Sequence, residues 1–233
     1  MIESAIEIFS NPETWIHYWG GLTKTVQLVF LSLLIGGILS VPLAIMRASN
    51  NKLISWPVWI FTYVFRGTPL LIQLYMIYYG VTLINGIQES FWWEIFKHAF
   101  YPALIAFSLN TAAYTTEIFR GAIKETPIGE IEAAKAYGMN WSQRMRRIIL
   151  PSAFRRAIPA YSNEVIFMLH ASAIASTVTI IDLLGSAYDI YSRYYAPFEA
   201  FISVGLIYLC LTFAILAIFK RLEKKLLAHL APR

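Results

Sequence analysis

Apolar residues along this chain gather into five long runs separated by short polar stretches. A helix needs roughly 20 mostly apolar residues to cross the hydrocarbon core of a bilayer. Val26 to Met46 carries no charge and forms the first run. Pro57 to Gly80 is the second, interrupted by Arg66, and Ala99 to Arg120 the third, charge-free until Glu117. Pro159 to Ile181 is the fourth, with Glu164 near its start and His170 near its middle; Ala200 to Phe219 is the fifth, again without charge. The pattern predicts an all-α integral membrane protein: five spans, over about 26–46, 57–80, 99–120, 159–181 and 200–219, in a single domain covering 1–233.

Composition supports the pattern. Of 233 residues, 58% are hydrophobic and only 14% charged, where a soluble domain carries about a quarter charged. Residues 1–21 hold acids and no Lys or Arg, so no cleavable signal peptide is expected. The single Cys210 excludes a disulfide framework or a cysteine-based metal site. The formal charge of +5 reads as basic cytoplasmic loops rather than as a nucleic-acid footprint. Fifteen of the nineteen Lys and Arg fall on the first and third connections and the C-terminal tail; only Lys97 and Arg193 fall on the other side. The positive-inside rule then places the N-terminus outside and the C-terminus in the cytoplasm. Residues 81–98 contain "FWWEIF", expected to rest at the membrane interface on the outer side.

The third connection, residues 125–158, lies on the cytoplasmic side in this topology. Thr126 is placed to cap a short helix with Pro127 at its first position, and Gly138 to end it in the left-handed conformation. Asn140 is placed to cap a second helix, with Gln143 three residues on completing a capping box, and Pro151 to stop it. Met145, Ile148 and Ile149 give that helix an apolar side; Arg144, Arg146 and Arg147 give it a basic one. Physics alone leaves two readings: a basic amphipathic pair lying on anionic lipid, or a docking element for a cytoplasmic protein. The small Ala133 and Ala134 favour docking, because they let a partner backbone approach closely.

The stretch "EAAKAYGMNWSQRMRRIILP" (132–151) resembles the EAA signature of ATP-binding cassette importer permeases: Glu-Ala-Ala, three residues, Gly, nine residues, Ile, one residue, Leu-Pro. Glu132, Ala133, Ala134, Gly138, Ile148, Leu150 and Pro151 fill every position. "FRGTPLLIQL" (65–74) and "AAYTTEIFRGAI" (112–123) resemble the polar amino-acid branch of that family. The similarity runs over nearly the whole chain, nearest to the second permease subunit of histidine, lysine, arginine and ornithine importers. The resemblance implies a type I importer permease fold with a cytoplasmic coupling helix pair in the bacterial inner membrane. It implies a homologous permease partner, a dimeric cytoplasmic ATPase that binds the ATP and Mg, and a periplasmic amino-acid-binding protein. The chain has no G-x-x-x-x-G-K-[ST] phosphate loop, so it is expected to bind no cofactor and to be a transport subunit, not an enzyme. The seven EAA residues would transmit ATPase closure.

Charged or ionisable groups inside spans cost ~2.5–3.5 kcal/mol on insertion scales and default to functional hypotheses. Arg66, Glu117, Asn163, Glu164 and His170 sit at similar depths and are expected to converge. Glu117 and Glu164 suit the cationic groups of a basic amino acid; Arg66 with the Gly67 and Thr68 amides suits an α-carboxylate. Three bland readings stand beside these. Arg66 and Glu117, or Glu164, serve as structural ion pairs; His170 bridges helices as a neutral imidazole; and Pro42, Pro69 and Gly36-Gly37 mark hinges or close packing. Many relatives carry Lys-Asp-Thr-Ser-Leu where this chain reads "HASAI" (170–174), a departure shared with basic amino-acid permeases. Tyr188, Tyr191, Tyr194 and Tyr195 suit either receptor contact or the interfacial belt. Uptake of glutamine, glutamate or an opine by the same mechanism is the nearest alternative. A proton-coupled carrier or channel stands further off, and no triad or metal-ligand cluster supports a membrane enzyme.

Overall fold

The computed structural model describes residues 2–227 and is all-helical among them. α1 (Ile2–Ser10) leads into α2 (Pro12–Ala48), whose start is fixed by three local signals. The Asn11 side chain accepts from the Glu13 amide at 2.9 Å, Pro12 takes the first position and Glu13 faces the positive end of the helix dipole. At 37 residues and 1.5 Å per residue, α2 is about 55 Å long. It begins fourteen residues before the first predicted span. Apolarity marks only the stretch that needs lipid, whereas helical geometry continues to the cap.

α2 packs along α6 (Phe100–Lys124), and these two form the centre of the bundle. Thr25, Ser32, Gly36, Ser40 and Ala44 place a buried stripe of small residues along α2. Small side chains let membrane helices approach closely, where dispersion and short polar contacts hold them. A Cβ added at Gly36 would sit 2.9 Å from the Ser108 carbonyl oxygen and collide with the Thr111 methyl. Gly36 is therefore a packing residue, not a hinge. Pro42 lies inside α2 without ending it.

The second predicted span is two helices. α3 (Lys52–Gly67) and α4 (Leu70–Thr82) meet at 101° around Thr68 and Pro69. Pro69 has no N–H and disfavours helical geometry in the residue before it, so the run "RGTP" turns although its neighbours are apolar. Outside it, a 3₁₀ turn (Ile87–Glu89) and α5 (Trp93–Phe96) lead to α6, with Phe91 and Trp92 exposed.

The third connection departs from expectation in three ways. α7 (Ile128–Ala136) has no side-chain cap, since the Thr126 hydroxyl turns back to the Ile123 carbonyl at 2.8 Å. Ala134 packs inward and is buried, leaving Ala133 exposed. Pro151 does not stop the second helix. α8 (Trp141–Arg144) runs through a π turn (Met145–Ile149) into α9 (Leu150–Ala171), with Pro151 in the first turn of α9. The wider π turn accommodates a residue that has no N–H for the ordinary ladder. The fourth predicted span continues through a 3₁₀ segment (Ser172–Val178) to Thr179 at φ +63°, and bends by 50° into α10 (Leu183–Tyr194). α11 (Pro197–Leu226) closes the bundle.

α2 and α11 are each long and apolar enough to cross a membrane, and each bent pair satisfies the same test taken together. α6, over the third predicted span, does not meet that test: it carries Ser108, Asn110, Thr111, Thr115 and Thr116, all buried against its neighbours. On the α10 side, Asn11 donates to the Tyr194 hydroxyl at 2.7 Å and Arg193 lies 3.5 Å from Glu13. Tyr188 and Tyr191 on α10 touch Phe201 yet stay exposed, Tyr194 is half-buried, and Tyr195, just past the helix, is the most open of the four.

Candidate functional site

The α3–α4 elbow exposes backbone that a membrane protein must satisfy internally. The last four carbonyls of a helix have no partner within it, and each unsatisfied polar group costs several kcal/mol away from water. Side chains take three of these four in α3. The Thr68 hydroxyl donates to Val64 O at 2.9 Å, Gln73 Nε2 to Phe65 O at 2.7 Å and, at longer range, the Tyr114 hydroxyl to Arg66 O at 3.4 Å. So held, the elbow points Arg66, Gly67 and Thr68 into a cavity of about 420 Å³. Asn110 and Tyr114, one helical turn apart on α6, and Glu164 on α9 complete its polar wall; Phe167 and Met168 supply apolar surface. That volume falls in the range of about 300–1,000 Å³ typical of small-molecule sites.

The cavity holds groups of opposite charge. The Arg66 guanidinium lies over the Tyr114 ring, 5.3 Å from its centroid, and is exposed. Glu164 is buried, and its Oε1 accepts from the Thr111 hydroxyl at 2.8 Å. A guanidinium and a carboxylate on one wall suit a zwitterion: the first can take a carboxylate in a forked pair, the second an ammonium or guanidinium.

Of the residues expected to converge, the structure brings Arg66, Gly67, Thr68 and Glu164 together and puts the others elsewhere. Glu117 lies outside the cavity wall. Its Oε1 accepts from Arg47 Nε at 2.9 Å and the Thr62 hydroxyl at 3.0 Å, and its Oε2 from Arg120 Nε at 2.5 Å. One carboxylate thus ties α2, α3 and α6 together, which matches the bracing alternative except that Arg47 and Arg120, not Arg66, are its partners. His170 sits within 3.0 Å of the Thr212 hydroxyl on α11, the helix-bridging alternative, and does not line the cavity. Asn163 is exposed, outside the cavity wall. Asn110, Tyr114 and Gln73 were not expected. Their signal was a polar carboxamide or phenol in an otherwise apolar run, with Asn110 and Tyr114 at the four-residue spacing that shares a helix face.

The EAA segment forms a second feature. Gly138 adopts φ +73°, and two bonds close the helix end, Met139 N to Ala134 O at 3.1 Å and Gly138 N to Lys135 O at 2.9 Å. This is the Schellman arrangement, which favours glycine at that position. The Asn140–Gln143 capping box is present in both directions, at 2.9 and 3.0 Å. Glu132 and Ala133 lie on the exposed part of α7; Leu150 and Pro151 open α9, with Leu150 against the apolar cluster of Ala44, Ala122 and Ala153. Ala133, Ala134 and Ile148 line an open hollow of about 550 Å³ whose charged lining is Arg147 and Arg155 with Glu130. Arg156 secures the whole segment to α6, donating through Nη2 to Ala122 O at 2.9 Å and the Thr126 hydroxyl at 2.8 Å, and through Nη1 to Ser152 at 2.5 Å.

A helical bundle with long apolar helices, a polar cavity at a bent helix pair and a structured polar hairpin suits a membrane transport component. Residues 40–228 match the family described as binding-protein-dependent transport system inner membrane component, and the chain belongs to that family. It is 48% identical to the histidine/lysine/arginine/ornithine transport system permease protein HisM of Escherichia coli K12, over 100% of this chain and 98% of that one. It is 43% identical to the nopaline transport system permease protein NocM of Agrobacterium fabrum, over 95% of this chain and 92% of that one. Among solved structures, an amino acid ABC transporter crystallised with histidines matches at TM-score 0.82 and 32% identity, covering 94% of this chain and 98% of that one. The MetNI methionine transporter in an inward-facing form matches at TM-score 0.77 and 19% identity, a likeness of fold. The chain is a permease subunit of an ABC importer, a transport component and not itself an enzyme.

Proposed function

We propose that this chain conducts basic amino acids (histidine, arginine, lysine or ornithine) from the periplasm to the cytoplasm of a bacterial cell. The observation that carries the substrate class is its full-length 48% identity to a permease of the histidine/lysine/arginine/ornithine system. The cavity agrees with it: buried Glu164 suits the cationic side chain or α-ammonium, and Arg66 beside the Gly67 and Thr68 amides suits the α-carboxylate. In this reading α2, α3–α4, α6, α9 with α10, and α11 are five spans, with the N-terminus outside and the C-terminus in the cytoplasm. Fifteen cytoplasmic Lys and Arg against two outside support that orientation.

ATP and Mg belong to a dimeric ATPase on the cytoplasmic side. Glu132 and the exposed Ala133 meet it, Gly138 sets the angle of α7, and Ile148, Leu150 and Pro151 carry its movement into α9. A periplasmic amino-acid-binding protein delivers the solute outside, and a homologous permease pairs with this chain. Permeases for nopaline and octopine, at 43% and 41% identity, favour an opine or another polar amino acid as the second reading. Glu164→Gln in a reconstituted importer tests the site. Uptake of labelled arginine falls at least tenfold while the assembled complex is retained; unchanged uptake removes Glu164 from the path.

A further inference from the structure

Gln73 and Asn110 form a buried carboxamide network at the α3–α4 elbow. Gln73 is on the first turn of α4 and Asn110 on α6, and both are 7% exposed. Gln73 Nε2 reaches three acceptors of the elbow: Phe65 O at 2.7 Å, Thr68 Oγ1 at 2.8 Å and Thr68 O at 3.0 Å. Asn110 Nδ2 donates to Gln73 Oε1 at 3.0 Å and reaches Phe65 O at 3.3 Å. The two carboxamides therefore bind each other and both sides of the turn. No backbone ladder crosses that turn at 101°, so these bonds replace the helical bonds the bend gives up.

A neutral carboxamide fits this place better than a charge. Its N–H groups satisfy carbonyls and its oxygen accepts the partner amide, with no ion to desolvate. A packing role alone would be met by Leu or Met of similar size, which would leave Thr68 O without a donor and Phe65 O with only the longer bond from Asn110. Asn110 also lines the cavity, so the same side chain touches the elbow and the space beside Arg66 and Glu164.

We propose that Gln73 and Asn110 are positioning residues: a carboxamide clasp that fixes the α3–α4 elbow and so sets where Arg66 and Thr68 stand on the cavity wall. This rests on the reading of that cavity as the solute path. Without the clasp the elbow opens to a range of angles, and Arg66 no longer faces Glu164 at one separation.

The test uses the complete importer with Cys210→Ser in this chain. Spin labels at Tyr63 on α3 and Met76 on α4, both exposed, report the elbow by pulsed electron resonance, and the same preparation is assayed for arginine uptake in proteoliposomes. Gln73→Leu is expected to broaden the label distance distribution and to lower uptake roughly tenfold, the scale of one to two buried hydrogen bonds. Exchanging the pair, Gln73→Asn with Asn110→Gln, keeps both carboxamides and is expected to recover most of each readout. Where Gln73→Leu does not assemble, Gln73→Glu keeps the shape, removes the donor and is expected to broaden the distribution likewise. An unchanged distribution overturns the clasp. So does a broadened one that the exchanged pair leaves broad, since packing then explains it. Failure of the cavity reading is separate: Glu164→Gln would transport normally while the elbow distances still answered to Gln73.

Discussion

At the scale of single residues, placement follows from what each polar group needs once water is removed. Arg156 on α9 has three acceptors, Ala122 on α6, Thr126 in the connection after it and Ser152 on its own helix, and through the first two the polar hairpin is fastened to the end of α6. Arg156→Ala leaves the Ala122 carbonyl without its donor, a loss of about 1–3 kcal/mol. It is expected to reduce uptake per ATP hydrolysed more than it reduces assembly, measured as arginine transported against phosphate released. An equal loss of both would make Arg156 a folding residue only. Glu117 is the matching case at the bundle's end. Glu117→Gln removes the charge that holds Arg47 and Arg120, and is expected to lower the thermal midpoint of the purified complex by several degrees, with the arginine dependence of uptake retained. Loss of arginine dependence would return Glu117 to the solute path. Sequence alone could not separate these fates. Arg66, Glu117 and Glu164 are all charges inside apolar runs, and only the direction each faces sorts brace from cavity wall.

At the scale of elements, local signals were legible where a backbone conformation demands one residue type. Gly138 in the left-handed region and the Asn140–Gln143 box both follow from spacing. Pro151 misled because a proline stops a helix only if its ladder stays α-helical; the π turn before it removes that condition. The 101° elbow was hidden for a similar reason, since a charge-poor run of 24 residues has the same hydropathy whether straight or broken. Gly138→Asp puts a side chain at φ +73°, a cost of about 1–2 kcal/mol concentrated at the joint between α7 and α8. Uptake is expected to be abolished with the subunits still expressed and the ATPase still hydrolysing. Normal transport by that variant would take the joint out of the coupling route.

Among the described residues the bundle is organised around the α2–α6 pair, and α6 links its two features. α6 touches α2, α3, α4 and α9, supplies Asn110 and Tyr114 to the cavity, and receives the Arg156 anchor at its other end. α6 thus joins the cavity to the hairpin; under the proposed coupling, movement of α7 and α9 against an ATPase is expected to bear on the wall where Arg66 and Glu164 stand. Topology decides whether that geometry is productive, and single cysteines in a Cys210→Ser background read it. Tyr195→Cys is expected to react with an impermeant maleimide from the outside of intact spheroplasts, and Tyr137→Cys only after the membrane is opened. The reverse pattern would invert the chain.

The most direct measurement is ATP-dependent accumulation of labelled arginine in proteoliposomes holding this permease, its partner permease, the ATPase and the binding protein. Uptake is expected to require ATP on the hairpin side, to be competed by histidine, lysine and ornithine, and to be lost with Gly138→Asp. Arginine uptake by this chain alone, without ATP or the ATPase, would contradict it.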